Sequence, residues 1–201
     1  MDPKTFFTQW NGEFDPEEFD EWVKDQKHSP KIIFPDGPIA REISEFEAKE
    51  LMSLLNNSIS NNWVLSPDHT HYGLLPNFLR CKFVDGLIDS EILLTFKDSE
   101  DPSGSESLMF RGAFKGGFPH GKFQVYDITE KLIEEYELAF GVPHGRWTRY
   151  GGGIPLESIE YAYNSRQGER RQYHESGRLK TIAIYKDGKR IGPQKYFEDK
   201  D

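Results

Sequence analysis

From residue 106 onward, apolar and polar positions alternate in short runs that close on an aromatic and lead into a glycine-bearing turn. The runs are Phe110, Gly112, Phe114; Tyr136, Leu138, Phe140; Ile159, Tyr161, Tyr163; and a looser Ile182, Ile184, Tyr185. A period of two places each set on one face of a β-strand. Behind each run stands a glycine, at 121, 145, 168 and 192, spaced by 24, 23 and 24 residues. Five positions beyond these glycines lie Tyr126, Tyr150, Tyr173 and Phe197, and two positions beyond the first two lie Phe123 and Trp147. Each unit therefore reads as a β-hairpin, with Gly116-Gly117 and Asp187-Gly188 as turns that need positive φ. The second and third units read as having turns two residues shorter, counted from Phe140 to Gly145 and from Tyr163 to Gly168. A lone hairpin cannot bury an aromatic face, so four in series predict a continuous single-layer sheet held by neighbour contacts. Trp147, Tyr126, Tyr150 and Tyr173 are expected in its shared core.

The first half patterns differently. Asp15-Pro16 with Glu18 opens a helix over 16–27, carrying Phe19, Trp22 and Val23 at helical spacing. "KIIF" (31–34) predicts a strand ended by the turn residues "PDGP". A longer helix is expected within 41–58, capped by Ser44 and Glu47, with Phe46, Leu51, Leu54 and Leu55 as its buried stripe. Residues 79–96 predict two strands around Asp85-Gly86, a degenerate unit with Ser90 at the glycine position. The segment 97–107, "KDSEDPSGSES", is acidic and nearly free of apolar residues, so it reads as a solvated loop; Ser99, Ser103 and Ser105 within it are candidate phosphorylation sites. The expected organisation is an α+β cap over 1–105 and hairpin repeats over 106–201, mainly β in class.

Charge sharpens that division. The chain of 201 residues carries a net charge of −9. Residues 1–105 hold 9 Lys and Arg against 20 Asp and Glu, whereas 106–201 hold 16 against 14. An acidic first half would be repelled by nucleic acid and by anionic lipid, so neither is an expected partner. The 15 Phe, 9 Tyr and 4 Trp point to an aromatic core. A single cysteine excludes a disulfide framework and a cysteine-rich zinc site. No apolar run is long enough to span a bilayer, and the start lacks a signal-peptide pattern, so a cytoplasmic or nuclear protein is expected.

The segment "FRGAFKGGFPHGKFQVY" (110–126) resembles a MORN repeat, with Phe110, Gly112, Phe114, Gly117, His120 and Gly121 at all six pattern positions. "YHESGRLKTIAIYKDGKRIGPQKYF" (173–197) is similar to the variant common in bacterial antitoxin-like repeat proteins. The last two units depart from the pattern, with Gln167 and Ile191 in place of the histidine. Some lysine methyltransferases carry a MORN domain before a SET domain, but nothing here resembles the SET motifs. The resemblance implies a hairpin-repeat sheet and an interaction role, not a particular partner.

Candidate chemistry is sparse. His120 and His144 share a slot in successive units, roughly 10 Å apart for stacked hairpins, too far to share one metal ion. They are expected to be turn residues. Asp68, His69 and His71 are the best candidates for an enzymatic site, because alternate strand residues share a face. "YGGGIPLES" (150–158) lacks the Lys-Ser/Thr of a phosphate loop. Glu134, Glu135, Glu157 and Glu160 are expected at strand edges, discouraging association between sheets. No catalytic residue, metal site or cofactor is assigned. A single-layer sheet leaves one face open, and Trp, Tyr and Arg make interface hot spots. Trp147, Tyr150, Tyr173, Arg146, Arg170 and Arg171 are therefore expected to form an aromatic, basic groove for an acidic helix or peptide of a protein partner. The alternatives are an enzyme with its site in the N-terminal region and a lipid-associated adaptor.

Overall fold

The structure is a computed structural model, and it describes residues 37–49, 51, 75–85, 87–97, 103–127 and 129–199. The helix expected over 16–27, the strand at 31–34 and the Asp68, His69, His71 set lie outside these residues. The described chain is mainly β, one open antiparallel sheet of 13 strands. In chain order they are β1 (Gly37–Glu42), β2 (Phe78–Val84), β3 (Leu87–Ile88), β4 (Glu91–Lys97), β5 (Glu106–Lys115), β6 (Phe118–Tyr126), β7 (Leu132–Ala139), β8 (Val142–Pro143), β9 (Gly145–Gly151), β10 (Ile154–Ala162), β11 (Ser165–Tyr173), β12 (Leu179–Lys186) and β13 (Lys189–Tyr196). Their lateral order follows the sequence, with the short β3 and β8 paired beside β2 and β7. The sheet runs without a break across residue 105, because β4 pairs with β5 along its length. Gly37-Pro38, expected in a turn, instead opens β1, where proline is tolerated at the start of an edge strand.

The hairpins share one internal count. Turn residues sit five and four positions before the anchor residue: Gly116-Gly117, Phe140-Gly141, Tyr163-Asn164 and Asp187-Gly188, all eight with positive φ. Asp85, with φ 51°, holds the same place before Ser90. The degenerate unit is thus a hairpin as well, the fifth among the described residues. Two positive-φ residues make the turn whose twist matches the flanking strands. The expectation of shorter turns in the second and third units is corrected: the turns are equal, and Phe140 and Tyr163 occupy the turn itself. The expected register of the last unit also shifts by one residue. Thr181 and Ala183 are the buried positions of β12, and Ile184 is 37% exposed on the other face.

Each second strand bulges at its anchor. Gly112 pairs with Phe123 and Phe114 with Pro119, so four residues of β6 span two of β5. The same two-for-four step separates Ile159↔Arg170 from Tyr161↔Arg166, and Ile182↔Lys195 from Ile184↔Ile191. Gly121, Gly145, Gly168 and Gly192 have φ between 68° and 103°, the left-handed backbone such a bulge demands.

Adjacent hairpins are tied at the turn. Gly117 N–H donates to Ile88 C=O, Gly141 to Pro119, Asn164 to Pro143 and Gly188 to Arg166, at 2.7 to 3.0 Å. Each acceptor lies two residues before an anchor. The residue just before the anchor makes a second tie. Asp89 accepts from Gly116 N–H at 3.0 Å, His120 and His144 stack on Phe140 and Tyr163 at 4.3 and 4.5 Å between ring centroids, and the Gln167 amide donates to Asp187 at 2.7 Å. Nδ1 of both histidines is buried without a hydrogen-bond partner, burial lowers the His120 pKa, and the two rings meet their aromatic neighbours at tilts of 39° and 43°. The histidine slot is a link between hairpins.

One face of the sheet carries the core. Leu79, Phe83, Ile92, Leu94, Phe110, Phe114, Phe123, Val125, Tyr136 and Leu138 form one buried cluster. A helix over 45–49 and 51 adds Ile43, just before it, with Ala48 and Leu51 to the same cluster. Its start is a capping box: Glu47 N–H donates to Ser44 Oγ, and Ser44 N–H to Glu47 Oε2. Phe46, expected in the buried stripe, is 68% exposed, because Ala48 and Leu51 define the helix face toward the sheet. Tyr126, Tyr150 and Tyr173 are not in the core either. An odd spacing from Phe123 and Trp147 puts Tyr126 and Tyr150 on the opposite face.

Gly112 is required for space. A Cβ there would lie 2.3 Å from the Phe123 ring, which crosses the glycine and packs on Phe110, Phe114 and Tyr136. Overpacking of this kind costs about 1–3 kcal/mol. Gly112→Ala should lower stability by that amount in urea denaturation, while Gly188→Ala, with nothing near its Cβ position, should suffer backbone strain alone.

Candidate partner-binding face

The core face changes chemistry along the array while its geometry repeats. Eleven residues before each anchor stand Leu79, Phe110, Glu134, Glu157 and Thr181. Two after each anchor stand Ile92, Phe123, Trp147, Arg170 and Gln194, and four after it Leu94, Val125, Arg149, Gln172 and Tyr196. Cross-strand pairs keep these on one face: Glu134↔Arg149↔Glu157, Trp147↔Ile159↔Arg170 and Glu157↔Gln172↔Thr181. The main apolar cluster ends at Trp147, and beyond it the face sets polar and aromatic side chains around buried Ile159 and Ala183.

That polar half is hydrogen-bonded. Trp147 Nε1–H donates to Glu134 at 2.5 Å, Arg170 Nε to Glu157 at 2.6 Å, and Thr181 Oγ1 to Gln172 at 3.0 Å. Arg149 approaches the other Glu157 oxygen at 3.7 Å, and the Arg166 guanidinium lies over the Tyr185 ring at 5.4 Å. The Glu157 side chain is 11% exposed and Arg170 28%, whereas Arg149 is 56% exposed and offers its charge outward. Burial raises the Glu134 pKa, against the Trp147 hydrogen bond and nearby Arg149, which lower it. Burial likewise raises Tyr161. The expectation of Glu134 and Glu157 as edge charges is corrected: Glu134 is half-buried and Glu157 buried on this face, paired with Trp147 and Arg170.

The six residues expected to share a groove are divided. Trp147 and Arg170 lie on this face. Arg146 pairs across the strands with Glu160 and Arg171 with Ser158, which sets both on the opposite face. Tyr150 belongs there too, three residues on from Trp147, as does Tyr173, three residues on from Arg170. Arg146 is ion-paired to Glu160 at 2.7 Å and Arg171 to Glu169. Arg149, Tyr161, Arg166 and Tyr185 join Trp147 and Arg170 on their face: Arg149 and Tyr161 by alternation from Trp147 and Ile159, Arg166 by pairing across from Tyr161, and Tyr185 by alternation from Thr181. At the strand ends Arg149, Leu156, Gln172, Tyr173, His174 and Lys180 line a cleft of about 550 Å³.

No family model matches the chain. No curated protein matches it either. Among solved structures, the crystal structure of TarM is similar at 10% identity over 94% of this chain, with a TM-score of 0.23. The chain spans 26% of that chain's length. A likeness at that score carries no argument. Among the described residues no three His, Cys, Asp or Glu side chains cluster as metal ligands, and no helix is long and apolar enough to cross a membrane.

The raised Glu134 pKa has a signed consequence. A carboxyl that holds its proton more tightly in the fold stabilises the protein below its ordinary pKa, and that contribution is lost as pH rises through the folded value. Glu134→Gln keeps an acceptor for Trp147 without the charge. Its melting temperature relative to the parent should therefore rise between pH 4 and pH 7.

Proposed function

We propose that the protein is a non-catalytic interaction module of MORN-like type, which binds a helix or extended peptide of a protein partner on its sheet. The reading rests on one observation: past Trp147 the core-forming face continues with unchanged geometry but carries Tyr161, Arg166, Arg170, Gln172 and Tyr185. Aromatic and arginine side chains on a rigid strand array supply contact area at low entropic cost. Two carboxylates on this face, Glu134 and Glu157, are engaged by Trp147 and Arg170, while Arg149 and Arg166 point charge outward. That balance favours a partner surface bearing carboxylates. The six pattern positions from Phe110 to Gly121 support the family reading, and the repeat counts extend it to the other hairpins. A partner at this face would be soluble protein in the cytoplasm or nucleus, and no cofactor is invoked.

Arg170 is a poor probe, since reversing it would leave nearly buried Glu157 beside a second carboxylate. The test uses Arg149→Gln with Arg166→Gln, which set no new carboxylate beside Glu157, against the opposite-face control Arg146→Gln, each as the full chain. Affinity capture from native lysate, quantified by mass spectrometry, should show partner recovery reduced about tenfold by the double variant, equivalent to roughly 1.4 kcal/mol. The control should retain it, with all three melting as folded proteins. Equal recovery from both variants would reject this face.

A further inference from the structure

Strand β13 pairs with β12 on one side, and no described strand pairs with its other edge. Every earlier hairpin uses that edge of its second strand to hold the next one. The residue two before the anchor offers its C=O to the next turn, as Pro119, Pro143 and Arg166 do. The anchor and the four residues after it then pair with the next first strand, as Gly168 to Gln172 do with Tyr185 to Thr181. The anchor carbonyl points the same way, since Phe114 N–H donates to Ser90 C=O. In β13 the equivalent groups are the C=O of Arg190 and the backbone of Gly192, Gln194 and Tyr196. Pro193 falls on an alternate position that faces β12, so its missing N–H does not block this edge.

The surroundings say what would fit. Lys189, Arg190 and Lys195 stand on β13, which holds no carboxylate, and among the described residues none of the three is ion-paired. Four large hydrophobics are exposed here: Ile184 at 37%, Ile191 at 48%, Tyr196 at 75% and Phe197 at 43%. A second copy fits badly, because antiparallel self-pairing about the strand centre sets Arg190 opposite Lys195. Within the array the acidic solution is already present. β7, Leu132–Ala139, lays Glu135 and Glu137 against Gln124 and Lys122 of β6 and turns Tyr136 and Leu138 to the core. Lys122 and Glu135 are ion-paired at 2.7 Å.

We propose that β13 is a strand-addition site for an extended partner segment that alternates carboxylates with apolar or aromatic residues, taken in the register by which β11 takes β12. The site is separate from the polar face proposed above.

The probe is a synthetic peptide with the β7 sequence, LIEEYELA, added to the full chain labelled for amide NMR. Binding should shift the amides of Gly192, Gln194, Lys195 and Tyr196, and exchanging the glutamates for lysines should abolish those shifts. Lys195→Glu should weaken the peptide at least about fivefold, as one cross-strand pair turns from attraction to repulsion. Gln194→Pro, which removes an outward N–H, should block binding in a chain whose other amides are unmoved. Absence of binding, or shifts centred on Trp147 and Tyr185, would overturn the proposal. So would edge shifts that grow with protein concentration and ignore the peptide, which would assign the edge to a second copy.

Discussion

One backbone hydrogen bond per hairpin, from the second turn residue to a carbonyl two places before the preceding anchor, sets the lateral register of the whole array. It recurs four times at 2.7 to 3.0 Å. A single bond of this kind contributes only about 0.5–1.5 kcal/mol net. Its weight lies in what it excludes: a strand shifted by one residue would turn its core face to solvent and lose the bond at once. The bond requires a two-residue turn with both residues at positive φ and a bulge at the anchor. Those two demands account for eight of the thirteen glycines from residue 106 onward.

Where a demand is met by a residue other than glycine, a neighbour compensates. Phe140 and Tyr163 stand at φ 50° and 44°, a backbone that costs a bulky residue of order 1–3 kcal/mol. His120 and His144 stack on those rings from the preceding hairpin. Where the turn residue is Asp187, Gln167 meets it by a hydrogen bond, and where it is Gly116, Asp89 meets its N–H. The slot before the anchor follows the turn it must touch, so a histidine is needed only opposite an aromatic.

With register fixed by backbone, the side chains of the core face are free to vary. The first hairpins use that freedom to bury Leu, Ile and Phe under a helix, with Phe123 lying across Gly112 as the densest contact. The later ones place Glu134 and Glu157 where Phe110 had been. A carboxylate at a half-buried site needs a donor, and Trp147 and Arg170 supply one each. The opposite face carries exposed ion pairs such as Arg111–Glu91 and Arg146–Glu160, worth little individually, beside apolar positions such as Ile182 and Ile184.

Four of the five hairpins, their turn glycines and the strand alternation from Phe110 to Tyr161 were legible in the sequence, because a two-residue period and a positive-φ glycine are local demands. The capping box at Ser44 and Glu47 was legible for the same reason, as was Ser90 as a degenerate anchor. Three features were not. The turn position of Phe140 and Tyr163 depends on a histidine in the neighbouring hairpin, and aromatic residues read locally as strand. The placement of Phe46 outward depends on which helix face meets the sheet. The split of the expected groove, with Trp147 and Arg170 on one face and Arg146, Tyr150, Arg171 and Tyr173 on the other, follows from pairing across strands. The repeating hairpin follows from local pattern, since its signals lie within a few residues of one another. Which side chains meet follows from the folded array, because that depends on register between hairpins more than twenty residues apart.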